Sequence, residues 1–164
     1  MFRIGIISDT HGGLPLAVHT VFEGVDAIIH AGDIGGLCVL DELETIAPVT
    51  AVLGNCDFAE YGCEVRSFAK KVFDGVHILV VHRPKDLKAA LSGWGSRDMG
   101  ALAPGEPLPQ VVIHGHTHTP QKERKGAILW LCPGSPNCPR ASEPSVMLLT
   151  LDAGTILNVE LVAL

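Results

Sequence analysis

The run Met1-Phe-Arg-Ile-Gly-Ile-Ile-Ser8 is almost continuously apolar and is followed directly by Asp9-Thr10-His11. A short apolar run of this kind is typical of a parallel strand that is buried on both faces and ends in a loop with polar side chains. Helix-like and strand-like segments then alternate: a helix at 14–22, a strand at 25–30, a helix at 37–46 and a strand at 49–53. This β-α-β-α-β order predicts the α/β class, with a parallel sheet and right-handed crossovers.

The remaining segments predict further strands and one long loop. We expect strands at 64–73, 76–81, 111–113, 125–132, 145–151 and 155–162, and a helix at 84–91. Asp74-Gly75 and Asp152-Ala153-Gly154 have the composition of turns between antiparallel strands. The segment 92–109 is rich in glycine and proline and is predicted to be a loop. Because the sequence contains no internal repeat or low-complexity tract, residues 1–164 are expected to form one domain.

The composition argues against several classes of protein. A chain of 164 residues can bury a core without disulfides, and its five cysteines include no Cys-x-x-Cys pair, so a disulfide framework or a thiolate zinc site is not expected. The formal charge of -6 argues against binding to nucleic acid polymers or anionic membranes, but it suits a cation site. No apolar run approaches the roughly 18 to 20 residues of a membrane span. The amino terminus lacks the features of a signal peptide, so we expect a cytoplasmic protein.

A cluster of three histidines, His114-Gly115-His116-Thr117-His118, follows the apolar run at 110–113. Imidazoles at alternating positions, with a glycine between two of them, can present two nitrogen ligands on one side of a tight loop. Taken alone, such a cluster is more often a solvated polar loop than a metal site. The cluster therefore gains meaning only from partners elsewhere in the chain.

Those partners stand at the ends of the other predicted strands. Singly, each would be read as a turn, since Asp and Asn suit turns and helix caps. In open α/β sheets, however, residues beyond the carboxyl ends of the strands converge on one crevice. The residues at five such ends are Asp9 and His11, Asp33, Asn55, His82, and His116 with His118. Together they predict a metal site.

The chemistry of this set narrows the choice of metal and reaction. Imidazole suits transition metals while hard cations take mostly oxygen, so the mixed set favours Mn²⁺, Fe²⁺, Zn²⁺ or Ni²⁺. Seven ligands exceed the need of one ion, which predicts two ions that share a carboxylate, roughly 3.5 to 4 Å apart. A hydroxide held between two such ions is a nucleophile suited to attack on phosphorus.

The same motifs resemble the signature of a known family. The segments Asp9-x-His11, Gly32-Asp33, Gly54-Asn55-Cys56-Asp57, His82 and Gly115-His116-Thr117-His118 are similar to those of the calcineurin-like metallophosphoesterases, in particular the small YfcE-type phosphodiesterases of bacteria and archaea. The resemblance extends over essentially the whole chain, including Pro133-Gly134-Ser135. It implies the four-layer α/β/β/α sandwich of that family, whose second sheet the periodicity alone does not predict.

The resemblance also implies a role for each ligand. It assigns Asp9, His11 and His118 to the first metal, Asp33 to a bridge, and Asn55, His82 and His116 to the second metal. The predicted function is a binuclear phosphodiesterase, most simply with Mn²⁺, that acts on a small phosphorylated molecule, with Asp33, Asn55 and His116 in catalysis. The alternatives are a non-catalytic interaction scaffold of the same fold and a nucleotide pyrophosphate hydrolase. Apolar edge strands make a homodimer plausible.

Two residues near the ligands have open roles in the sequence. Arg83 stands where relatives of this type usually have glycine, and it either binds a substrate phosphate or lies on the surface. Asp57 either positions a water or a ligating histidine, or caps the following turn. The other histidines close to the motifs, His30 and His114, are expected to pack beneath the metal loops.

Overall fold

The computed structural model describes residues 1–58, 61–87 and 105–164, and within them ten strands form two five-stranded sheets. The strands are β1 (Phe2–Ile7), β2 (Ala27–His30), β3 (Val49–Ala51), β4 (Phe68–Phe73), β5 (Val76–Val81), β6 (Val111–Ile113), β7 (Gln121–Lys125), β8 (Ile128–Cys132), β9 (Ser145–Asp152) and β10 (Thr155–Ala163). The helices are α1 (Leu16–Val21), α2 (Leu37–Glu44) and a 3-10 helix at Pro84–Asp86.

The first sheet has the order β10-β9-β1-β2-β3. Its strands β1, β2 and β3 run parallel, which confirms the predicted β-α-β-α-β unit. Successive residues of β1 serve opposite faces of the sheet: Ile6 faces the second sheet, while Ile7 packs with Val18 of α1 and Leu43 of α2. Burial on both faces explains why β1 reads as a continuous apolar run rather than an alternating one.

The second sheet has the order β4-β5-β6-β8-β7, with β5, β6 and β8 parallel to one another. Ile78 and Ile113 on its inner face pack against Ile4 and Ile29 of the first sheet, so the two sheets lie face to face. On its outer face Leu87, which follows the 3-10 helix, packs with the buried side chains of this sheet. The architecture is the α/β/β/α sandwich that the family resemblance implied.

Two predicted elements need correction. The single strand expected at 125–132 is wrong, because β7 and β8 form a hairpin around Gly126, which has a φ of 61°. The edge strand β7 has the sequence QKERK and is largely exposed, so it lacks the alternation that announces a half-buried strand. The strand expected at 64–73 begins only at Phe68. Of the predicted helix at 84–91, residues 84–86 form the 3-10 helix and residues 88–91 lie outside the described residues, as does most of the loop at 92–109.

Candidate metal centre

Four of the predicted ligands form one compact cluster. Ligand atoms of Asp9, His11, Asp33 and His118 all lie within 4.8 Å of one another. Nε2 of His118 is 3.2 Å from Oδ1 of Asp9 and 3.4 Å from Nε2 of His11. The loops after β1, β2 and β6 supply these residues, so the predicted convergence of those strand ends is confirmed. We call Asp9, His11 and His118 the first set.

The remaining predicted ligands, Asn55, His82 and His116, lie beside the same carboxylate and form the second set. Nε2 of His82 is 3.1 Å from Oδ1 of Asn55 and 3.4 Å from Oδ1 of Asp33. The ring of His116 stands edge-on to that of His82, with 5.3 Å between the ring centroids. The two oxygens of Asp33 thus have different neighbours: Oδ1 faces His82, while Oδ2 lies 4.0 Å from Nε2 of His11.

The hydrogen bonds of two histidines show that the sets fit a cation. Nδ1 of His82 donates to the carbonyl of Ala31 at 2.8 Å, and Nδ1 of His118 donates to the carbonyl of Cys138 at 2.6 Å. In a neutral ring these bonds leave Nε2 unprotonated, with its lone pair directed at carboxylate or amide oxygens. Acceptors that face one another at about hydrogen-bond distance need a positive charge between them, and a divalent metal supplies it.

The backbone of the ligand loops is strained. Five of the seven predicted ligands have a left-handed backbone, with φ between 48° and 70°; they are Asp9, His11, Asp33, His116 and His118. Such a conformation costs a residue other than glycine on the order of 1 kcal/mol, and it persists where the surrounding structure enforces it, typically at functional sites. The clustering of five such residues at one place is therefore consistent with a functional site.

Two glycines allow the ligand loops to approach closely. A Cβ atom on Gly54 would overlap the carboxylate and the backbone nitrogen of Asp33. A Cβ atom on Gly115 would overlap Oγ of Ser8 and lie 2.7 Å from Oδ2 of Asp9. Only glycine fits at both positions, which explains the glycine between two histidines of the cluster.

Comparison with known proteins agrees with this geometry. Residues 2–154 match the family model of the calcineurin-like phosphoesterase superfamily domain. The chain belongs to this superfamily. The predicted resemblance is therefore confirmed, and the family is one of metal-dependent phosphoesterases. In this phosphoesterase domain the candidate metal-binding group comprises Asp9, His11, Asp33 and His118. In the described part of the chain, no helix is long and apolar enough to cross a membrane.

Named relatives are similar over most of the chain. A probable metallophosphoesterase of Methanothermobacter thermautotrophicus is 36% identical, with 97% of this chain and 91% of the relative covered. A phosphodiesterase of Methanocaldococcus jannaschii is 30% identical, with 80% of this chain and 82% of the relative covered. Among solved structures, an archaeal phosphodiesterase has a TM-score of 0.73 at 25% identity, with 98% of this chain and 100% of that chain covered.

Asp9 of this phosphoesterase domain is held by two serines that the sequence reasoning gave no role and by the backbone of His116. Oγ of Ser8 donates to Oδ2 of Asp9 at 2.7 Å, and the backbone N–H of His116 donates to the same oxygen at 3.1 Å. Oγ of Ser135 donates to the carbonyl of Asp9 at 2.7 Å. Burial raises the pKa of Asp9 more than the Ser8 hydrogen bond lowers it. The one sequence signal for this support is Pro133-Gly134-Ser135, directly after β8.

The charges around Asp33 oppose the effect of burial. A proton on Nε2 of His82 can take the place of the cation, and the charged ring then donates to Asp33. Burial favours the neutral acid, but this hydrogen bond and the one from the backbone N–H of Cys56 outweigh it and hold the pKa of Asp33 well below its usual range. Burial lowers the pKa of His82, but the neighbouring Asp33 carboxylate and the Ala31 carbonyl together raise it by more, so the net shift is upward. The Asp33 carboxylate is thus ionised and prepared for a cation.

Asp57 joins two of the ligand loops. Its carboxylate accepts hydrogen bonds from the backbone N–H groups of Ile34 at 2.9 Å, Gly35 at 3.1 Å and Gly54 at 2.8 Å, and from the hydroxyl of Tyr61 at 3.1 Å. Among the described residues, the partners of Asp57 include neither a ligating histidine nor a backbone N–H of the following turn, so the contacts match neither of these two predicted roles. Asp57 fixes the loops after β2 and β3 relative to each other, and so positions the residues that follow those strands.

Arg83, the candidate for substrate binding, forms an ion pair. Its Nε donates to Oδ2 of Asp86 at 2.7 Å, and both side chains are about 40% exposed. This contact fixes one edge of the guanidinium and leaves its terminal amino groups outside the pair. The arrangement is compatible with both predicted roles of Arg83.

His30 and His114 are fully buried, as predicted. The hydroxyl of Thr10 donates to the carbonyl of Ile34 at 2.8 Å, so Nε2 of His30, at 2.9 Å from the same hydroxyl, must be the donor in that contact. Nδ1 of His30 accepts the backbone N–H of Gly32. The neutral ring is therefore satisfied on both sides, and burial lowers the pKa of His30 to about 4.

Proposed function

We propose that this chain is a binuclear metal-dependent phosphodiesterase acting on small phosphodiesters. The observation that carries the proposal is the placement of Asp33, whose two carboxylate oxygens face two separate sets of nitrogen and oxygen ligands. A single ion would need only one of these sets. A carboxylate between two complete sets is the arrangement expected for a pair of ions that share a ligand.

The proposed binding scheme follows the two sets. Asp9, His11 and His118 hold one ion, Asn55, His82 and His116 hold the other, and Asp33 contributes to both. Divalent ions in these positions would lower the pKa of a bound water and neutralise charge on phosphoryl oxygens. The mixture of imidazole and oxygen donors favours Mn²⁺, with Fe²⁺, Zn²⁺ and Ni²⁺ as alternatives.

Substrate approaches from the side where the ligands are exposed. His11, Asn55 and His116 are exposed, whereas Asp9 and Asp33 are buried. On this open side Asn55 and His116 are the side chains closest to an incoming phosphoryl group. Burial and the neighbouring His82 lower the pKa of His116, so its ring is neutral near pH 7 and able to bind a metal or accept a proton.

The choice of a diester over other phosphoryl substrates is supported by the relatives. One relative at 30% identity is named a phosphodiesterase. Beside the two sets, the described residues show no side chain outside the proposed ligands that is suited to give a proton to the leaving group, so we expect good leaving groups to react best. The scaffold alternative is disfavoured because all seven ligand positions carry side chains that can bind a metal.

The test is metal-dependent hydrolysis. Metal-stripped protein is reloaded with Mn²⁺ and assayed with bis(p-nitrophenyl) phosphate and with p-nitrophenyl phosphate, while bound metal per chain is counted by mass spectrometry. We expect two ions per chain and faster turnover of the diester. Preferential cleavage of a nucleotide pyrophosphate bond would favour the pyrophosphatase alternative.

Asp33→Asn is the decisive variant. Even partners outside the ligand shell change metal affinity by about 10- to 100-fold, so loss of the shared carboxylate should exceed that range and reduce activity to background. Asp41→Asn on the exposed face of α2 is the matched control and should retain full activity. An active Asp33→Asn protein, or full activity with one ion bound per chain, would refute the binuclear proposal.

A further inference from the structure

Arg83 and Asp86 form a pair at the edge of the second set. Nε of Arg83, which directly precedes the 3-10 helix, donates to Oδ2 of Asp86, the last residue of that helix, at 2.7 Å. Within the described part of the chain, Asp86 is the only hydrogen-bond partner of the Arg83 guanidinium. Because the bond uses Nε, the two terminal amino groups remain available to a ligand.

The backbone at this position is anchored to the metal centre. Arg83 directly follows His82, whose Nδ1 donates to the carbonyl of Ala31 and whose own carbonyl accepts the backbone N–H of Gly115 at 3.0 Å. The Arg83 side chain therefore starts from a fixed point beside a predicted ligand. The Arg83 side chain can move only by rotation about its own χ angles, and the contact with Asp86 restricts that rotation.

Arg83 lies beside the open side of the site. It directly follows His82, whose Nε2 is 3.1 Å from Oδ1 of Asn55 and whose ring centroid is 5.3 Å from that of His116. Asn55 and His116 are exposed on the side from which substrate approaches. Adjacent Cα atoms are about 3.8 Å apart, so the Arg83 side chain begins next to the second set and is long enough to reach a phosphoryl group bound there.

Stability does not explain the pair. The two side chains are 38% and 40% exposed, and ion pairs in such surroundings contribute little to folding because water and salt screen them. A carboxylate that holds Nε does fix the plane of the guanidinium, whose planar fork of donors matches the oxygens of a phosphate. The Arg83–Asp86 pair therefore contributes more to the orientation of the guanidinium than to the stability of the fold.

We propose that Asp86 is a positioning residue that holds Arg83 so that its terminal amino groups bind the phosphate oxygens of the substrate. This proposal rests on the proposed phosphodiesterase function. An interaction formed equally with substrate and transition state changes KM and leaves kcat almost unaltered. Asp86 should therefore act on KM through Arg83, without any contact of its own with the substrate.

Four variants test this pair in the Mn²⁺-loaded protein with bis(p-nitrophenyl) phosphate. Arg83→Gln should raise KM about tenfold or more, the loss expected for a charge-assisted hydrogen bond. Asp86→Ala should raise KM by up to about the same factor, and Asp86→Asn should recover part of the loss because its amide oxygen still accepts from Nε. The double variant Arg83→Gln with Asp86→Ala should be no worse than Arg83→Gln alone, since Asp86 acts through Arg83.

Arg124→Gln is the matched control. Arg124 is exposed on β7 opposite Leu129, near the amino end of β8 and away from the strand ends that carry the ligands. Its KM should equal that of the unmodified protein. Melting temperatures of all variants should agree within about 2 °C, because surface substitutions change stability little.

An unchanged KM in Asp86→Ala would overturn the proposal, whatever Arg83→Gln does. If the unmodified protein hydrolyses no ester with any metal, the proposed function fails, and the pair is then judged by binding of inorganic phosphate to the Mn²⁺-loaded proteins in calorimetry. Weaker phosphate binding in Asp86→Ala and Arg83→Gln, but not in Arg124→Gln, would support the pair as an anion-binding device. Equal affinity in all of these proteins would refute it.

Discussion

The metal centre has a buried side and an open side that are built differently. Of the proposed ligands, Asp9, Asp33, His82 and His118 are buried, whereas His11, Asn55 and His116 are exposed. Buried ligands are fixed by the protein, as His82 is by the Ala31 carbonyl and Asp33 by the Cys56 N–H. The side chain of His11 contacts His118, and that of Asn55 contacts His82 and the exposed Cys56. Folding thus sets the geometry of the buried side, while the open side is left for metal and substrate to organise.

The largest expected effect comes from comparing one ligand of each side. In His118→Ala the centre loses a nitrogen that is oriented by the bond to Cys138, so we expect Mn²⁺ affinity to fall by more than about 100-fold, beyond the range for outer-shell partners. In His116→Ala we expect a loss nearer to tenfold, because the exposed ring is less preorganised. Calorimetric titration of metal-stripped protein measures both. Equal losses would mean that burial does not distinguish the two sides.

The proximity of the proposed ligands could be predicted from sequence for a physical reason. Each of these residues follows an apolar strand. Because the carboxyl ends of parallel strands lie at the same edge of a sheet, side chains that follow such strands come close together. His82 and His116 follow β5 and β6 of the second sheet, yet they join Asp33 from the first. Sequence periodicity did not predict that second sheet, because the residue pattern of a strand does not indicate which sheet the strand joins. The family resemblance supplied it.

The supports of the ligands were missed because they depend on contacts between distant parts of the chain. Cys138 contributes only a backbone carbonyl to His118, so its side-chain identity carries no signal. Ser135 and Asp9 are 126 positions apart, and although the motif Pro133-Gly134-Ser135 draws attention to Ser135, it does not indicate the partner of its hydroxyl. Asp57 was recognised as a polar group in a ligand motif, but its hydrogen bond from the N–H of Ile34 in the loop after β2 follows only from the structure.

The next effect concerns His30, which lies under the buried side. Its folded-state pKa of about 4 is below the value of 6.5 for the unfolded chain. Between these values the unfolded chain binds more protons than the folded one. The contribution of His30 to the free energy of unfolding is therefore complete above pH 6.5 and is lost as the pH drops toward 4. The total loss is on the order of 3 kcal/mol at about 1.4 kcal/mol per unit of pKa shift.

The measurement is urea unfolding of metal-stripped protein from pH 7.5 down to about 4, with His30→Gln as the reference. Because glutamine does not titrate, the difference in stability between the two proteins should shrink as the pH falls through this window. A constant difference would show that His30 is protonated alike in the folded and unfolded states. It would also contradict a neutral His30 ring beneath the ligand loops.

The smallest effect distinguishes a buried support from an exposed hydroxyl near the same loops. In Ser135→Ala the Asp9 carbonyl and the backbone N–H of Cys138 lose their partner, at a cost of about 1 to 3 kcal/mol in the free energy of unfolding. Thr119→Ala removes an exposed hydroxyl that donates to the Arg140 carbonyl, and it should change stability by less than about 0.5 kcal/mol. Mn²⁺ affinity should fall about tenfold in Ser135→Ala alone, since displacement of Asp9 disturbs the first set. If both variants lower stability and metal affinity equally, the buried side owes its order to the ligands themselves rather than to the residues behind them.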